Sequence, residues 1–176
     1  MIHTLSNRTV LFTSLFLMIL MFVIITVYVN PFIDGGNGSS VIKLQLAFKK
    51  EAAIDIVNSW GKFGIANFER WIFTDYLFAI SYAFFFASLL SFLILKKGKE
   101  KLFAYRAVVY LAFIAGFFDF TENTIELFFL SNPADFSVPI FFIHSVIASI
   151  KWAAVPIAFI YILVLLAARN QSIEER

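Results

Sequence analysis

Asp119, Glu122, Asn123 and Glu126 are spaced so that all four fall on one face of a helix. His144 and Lys151 share a face of a second helix, with Ala148 between them. Asp75 stands alone upstream. All seven lie in or beside long apolar stretches. There an ionisable side chain costs about 2.5–3.5 kcal/mol to insert, so it tends to face other helices and to have a partner. Carboxylates with a lysine and a histidine in such a place can hold a proton, a cation or the polar head of a lipid-like molecule. They can also exchange protons as general acid and base.

A short connection, Ser131 to Asp135, joins the two stripes, so their helices should be antiparallel neighbours. The pairs Asp119–Lys151 and Glu126–His144 share one midpoint, residue 135, which lies inside that connection. Both pairs are therefore expected to meet at matching depths, Asp119–Lys151 near the bilayer centre and Glu126–His144 nearer the outer surface. The charges do not balance. Asp75, Asp119, Glu122 and Glu126 face Lys151 and a histidine, and Arg70 is expected to neutralise Asp75. At least one carboxylate remains, to be protonated, hydrated or paired with a cation. Tyr76, Ser81, Tyr82, Ser145 and Ser149 would extend the polar lining. A plain packing role competes, since polar contacts between membrane helices contribute about 0.6 kcal/mol each as glue.

The elements that hold these residues follow from composition. Of 176 residues, 61% are hydrophobic and 15% charged, against roughly 25% charged in soluble domains. A soluble fold of this size cannot bury that much apolar surface. One all-α membrane domain, a bundle of four transmembrane helices, is expected at about 9–30, 66–96, 102–130 and 138–168. The apolar run Leu11 to Val29 is too long for a signal-peptide core and is expected to stay as an anchor. Lys96, Lys97, Lys99, Lys101 and Arg106 crowd the connection between spans two and three, Arg8 precedes span one, and Arg169 follows span four. Positive-inside logic places both termini and this connection in the cytoplasm of a cell with an inner membrane. The net charge of +2 comes from lysines beside spans and gives no argument for nucleic acid. With no cysteine, disulfides and thiolate chemistry are excluded.

The segment between spans one and two has its own pattern. Asp34 to Ser40 reads as a flexible loop, and Asn37-Gly38-Ser39 is a glycosylation triplet of the kind that arises by chance. Ile42, Leu44 and Leu46 alternate with polar residues, as in a short extended stretch. Phe48, Ala52, Ala53, Ile56, Val57 and Trp60 form a helical stripe, predicting an amphipathic helix over 48–60 on the outer surface or capping the bundle. Gly61 should stop it, and Trp60 should sit at the headgroups. Pro156 should kink span four near Lys151.

Two stretches carry a resemblance. One runs from Leu44-Gln45-Leu46-Ala47-Phe48 through Asn58-Ser59-Trp60-Gly61 to Asp75-Tyr76-Leu77-Phe78 and Ser81-Tyr82-Ala83. The other is Phe118-Asp119 with Glu122-Asn123, followed by Lys151-Trp152. Together they resemble an uncharacterised family of small bacterial four-span integral membrane proteins. The resemblance implies the same four-span layout and supplies no activity, substrate or cofactor.

Three functions fit these residues. In the first, a polar cavity between spans two, three and four opens outward under the amphipathic helix and binds or transports a proton, a cation or a lipid-like ligand, with Asp75, Asp119, Glu122, Asn123, Glu126, His144 and Lys151 as candidate binding residues. In the second, a lipid-modifying enzyme uses Glu122 or Glu126 as acid or base with His144 as partner, although no nucleophile–base motif or phosphate-binding glycine loop supports it. In the third, an accessory subunit uses the cluster to set helix register, within a homo-oligomer or a larger membrane complex. No cofactor is expected. No metal is expected either, because a lone histidine among carboxylates, without a Glu-x-x-His pair, is thin support.

Overall fold

The computed structural model describes residues 1–34 and 39–168. The helices are α1 (Ile2–Leu5), α2 (Arg8–Val23), α3 (Ser39–Gln45), α4 (Lys50–Lys96), α5 (Phe103–Ser131) and α6 (Val138–Ala167). Among the described residues four helical stretches are long and apolar enough to cross a membrane: Arg8–Phe32, Lys50–Lys96, Phe103–Ser131 and Val138–Ala167. No strand occurs among the described residues. The chain is an all-α four-helix bundle and a multi-pass membrane protein. Its outward faces carry Phe16, Phe117, Phe128, Phe142 and Phe159, all exposed, as lipid contact requires.

The first span starts at Asn7, whose side chain accepts the Thr9 N–H at 2.8 Å and caps α2. It then widens into a π-helical turn, Ile24–Val29, and tightens at Asn30–Phe32. Ser14 and Ile25 are its buried residues, so this helix flanks the bundle rather than filling it. Most of the core comes from α4, α5 and α6. Leu5 packs in one cluster with Ile94, Val108 and Leu165. Lys97 Nζ also donates to the carbonyl of Ala168. The N-terminus, the lysine-rich turn and the end of α6 therefore share one end of the bundle, as four crossings demand. Arg169, Asn37 and Gly38 lie outside the described residues.

Two expectations about the outer segment change. The 42–46 stretch is helical rather than extended, because α3 turns Val41, Leu44 and Gln45 inward together. Alternation over so few residues satisfies either period. The amphipathic helix begins at Lys50 rather than Phe48, and buries Ala53, Val57 and Trp60 against the bundle. Lys50 Nζ ties it to the opposite connection, donating to the carbonyls of Ala134 at 2.8 Å and Phe136 at 3.2 Å. Trp60 turns into the bundle and is buried there. Its indole N–H donates to Ser40 Oγ at 3.0 Å, and its ring packs on Phe68.

Gly61 breaks the helix as expected, but the chain resumes helical geometry at once. The residue adopts φ 63° and ψ 178°, so α4 consists of two helical segments meeting at a corner. This backbone region is essentially reserved for glycine. A Cβ built there meets nothing within 4 Å, so the requirement is conformational and not one of space. Gly61→Ala should therefore cost at least about 1 kcal/mol despite adding a methyl group to open space. Thermal unfolding in detergent checks this, and an unchanged midpoint would contradict the corner. α6 runs from Val138 to Ala167 with Pro156 inside it.

Candidate functional site

The two expected pairs meet. Lys151 Nζ lies 2.9 Å from Asp119 Oδ1. His144 Nε2 lies 3.2 Å from Glu126 Oε1. Lys151 also reaches Glu122 Oε2 at 2.7 Å, a contact the antiparallel arithmetic did not single out. Small residues permit the approach of α5 and α6. Ala148, between His144 and Lys151, is fully buried, so the long polar side chains on either side span the gap. On the other side of α5, Gly116 lies against Ala79 and Ala83 of α4. That seam brings Asn123 to Asp75, where Asn123 Nδ2 donates to Asp75 Oδ2 at 2.8 Å.

Arg70 does not neutralise Asp75. It is exposed on α4, and no ion pair joins the two among the described residues, whereas Asp75 is buried beside Asn123. Five residues on, the helix has turned by 500°, which carries the arginine off the inward face. The charge surplus therefore stands inside the bundle. One lysine serves Asp119 and Glu122, an amide serves Asp75, and an imidazole serves Glu126.

The cluster divides into two parts. A cavity of about 460 Å³ is bounded by Asp75, Asp119 and Lys151 at its polar floor, with Tyr82 beside them. Its walls are apolar: Met18, Phe22 and Ile25 from the first span, Phe78 and Phe86 from α4, and Val155 from α6. Val41, Ile42 and Gln45 of α3 form the roof. The π-helical turn contributes Ile25 and Thr26, so the widened part of the first span faces this space. Glu122, Glu126 and His144 form the second part, which is sealed at 0%, 1% and 0% exposure. Their ligand-capable atoms lie within 4.8 Å of one another.

The cavity is not where the sequence placed it. It lies between the first span, α4 and α6, takes only Asp119 from α5, and touches neither Glu122 nor Glu126. Its roof is α3, not the 50–60 helix. The first span is the neighbour that spacing could not assign, because its apolar residues surround it evenly and mark no inward face. Two contributors escaped notice. Gln45 is buried and accepts the Trp152 indole N–H at 3.1 Å, joining α3 to α6 over the cavity. Trp152 also holds its ring 5.3 Å from Lys151 Nζ. Reading 42–46 as helical would have revealed Gln45 on the inward face.

The expected polar extensions disperse. Tyr82 lines the cavity. The Tyr76 hydroxyl pairs with Thr124 Oγ1 at 2.9 Å on the α4–α5 seam. Ser81 donates to the Phe78 carbonyl, and Ser149 donates to that of Ser145. Ser145 Oγ accepts the Phe48 N–H at 3.1 Å, which pins the turn between α3 and α4 onto α6. Phe48 holds a left-handed φ of 54° at that point. Comparison with protein-family models, with curated proteins and with solved structures finds no match.

Proposed function

We propose that this multi-pass protein, set in an inner membrane with both termini cytoplasmic, binds a membrane-dissolved amphiphile with a cationic head. The observation that carries the reading is the cavity of about 460 Å³ with apolar walls and a floor of Asp75, Asp119 and Lys151. Pockets of about 300–1,000 Å³ with mostly apolar linings and a few convergent polar groups are what small ligands occupy. The floor selects the charge of the head. Lys151 is already held by Asp119 and Glu122, so an anion would have to compete with two carboxylates. Among the described residues Asp75 takes its hydrogen bond from the Asn123 amide, forms no ion pair, and faces the cavity. An ammonium head against Asp75 supplies the missing positive charge, and an alkyl chain fits between the first span and α6.

Trp71 and Trp152 line the same space and report on its contents. A brominated long-chain alkylamine should quench tryptophan emission of the purified protein more strongly than the alkyl sulfate of equal chain length. Asp75→Asn, which preserves shape and the amide contact, should weaken the amine about tenfold, equivalent to roughly 1.4 kcal/mol. Equal quenching by the sulfate, or an undiminished amine affinity in Asp75→Asn, would reject the reading.

A further inference from the structure

We propose that Glu122, Glu126 and His144 bind one divalent first-row transition-metal cation in the seam between α5 and α6. This inference does not rest on the cavity reading, because none of the three side chains lines that space. Their ligand-capable atoms lie within 4.8 Å of one another, and His144 Nε2 already stands 3.2 Å from Glu126 Oε1. Metal–oxygen and metal–nitrogen bonds of about 2.0–2.2 Å set neighbouring ligands of a tetrahedral ion about 3.4 Å apart. Modest rotation of the two carboxylates closes the third side.

A second, independent observation comes from the unused atoms. Glu122 Oε1 and Glu126 Oε2 are buried and have no hydrogen-bond partner among the described residues. The other oxygen of Glu122 has the Lys151 ammonium as an ion-pair neighbour, and that of Glu126 has the His144 imidazole. A carboxylate oxygen sealed from water without a donor carries a desolvation cost that a cation would remove. The charge balance agrees, since the surrounding acids outnumber the single lysine. The donor set narrows the ion. An imidazole beside two carboxylates, with no thiolate, suits Zn²⁺, Fe²⁺ or Mn²⁺ better than an alkali ion. Helix bundles build buried metal sites from inward-facing glutamates and histidines of facing helices; this set lacks their usual Glu-x-x-His spacing and is drawn together by the α5–α6 packing instead.

The test uses the full chain without an affinity tag, purified into lipid nanodiscs from cells grown with zinc, iron and manganese. Elemental analysis should find about one equivalent of a single divalent metal per chain. Glu126→Gln and His144→Asn should each lower it at least tenfold, while Tyr76→Phe should leave it intact. One equivalent that survives in folded samples of both ligand variants would place the metal elsewhere and overturn the proposal. So would less than about a tenth of an equivalent in the wild type. Should neither variant yield folded protein, X-ray absorption of the wild type decides. A shell with one imidazole and carboxylate oxygens at about 2.0–2.2 Å supports the site, and an all-oxygen shell overturns it.

Discussion

Lys151→Met should destabilise the folded bundle by about 3–5 kcal/mol, the usual consequence of removing one partner from a buried ion pair. Lys151 stands 2.9 Å from Asp119 and 2.7 Å from Glu122, so its loss strands two carboxylates and not one. Methionine keeps most of the volume, which separates the loss of charge from the loss of packing. Chemical unfolding of the purified protein in detergent measures the effect. The pairing makes a further demand: adding Asp119→Asn to Lys151→Met should recover part of the loss, because one stranded charge is then gone. A double variant as unstable as the sum of its singles would show that the two residues do not act as a pair. An unchanged single variant would end the case for the cluster.

Gly116→Leu should fall at or above the upper end of the roughly 1–3 kcal/mol that overpacking costs, and should also empty the site of Asp75. A Cβ at this position would come 2.8 Å from the Ala83 side chain and 3.2 Å from the Ala79 carbonyl. A leucine must therefore push α4 and α5 apart. One turn beyond Gly116 lies Asp119, and two turns beyond lies Asn123, which bonds Asp75 across the same seam. Separating the helices breaks that 2.8 Å bond before it disturbs the α5–α6 pairs on the opposite side. Unfolding together with alkylamine binding reads both consequences. Lost stability with full amine affinity would show that the seam does not position Asp75. Gly116→Ala, a smaller intrusion, should give a graded version of the same result.

The pairing of α5 with α6 was legible because three signals agreed. The acids recur at helical spacing, His144 and Lys151 do the same, and the connection is too short for anything except an antiparallel return. The long helices were legible for the same kind of reason. The helices end within a few residues of the apolar runs, apart from the extension of α4 back through Gly61 to Lys50. The short segment 42–46 was not, since a handful of residues fits two periods and only contact with the bundle selects one. Arg70 shows a different limit. Proximity along the chain suggested a partner for Asp75, but helical rotation put the two on different faces. The partner came from Asn123, which is distant in sequence and close across the helix seam.

From sequence alone came the environment, the number of crossings, and the unequal count of buried acids and bases. These depend on composition and periodicity, which any arrangement of the helices must respect. What the tertiary structure decided is how that unequal set is shared out. Asp75, Asp119 and Lys151 face a cavity, while Glu122, Glu126 and His144 are shut away from it. The division is set by where the first span and α3 lie. The first span is apolar on every side, so no stripe of residues announced which neighbour it would choose. Its position follows from shape and packing against α4, and only the assembled bundle specifies those.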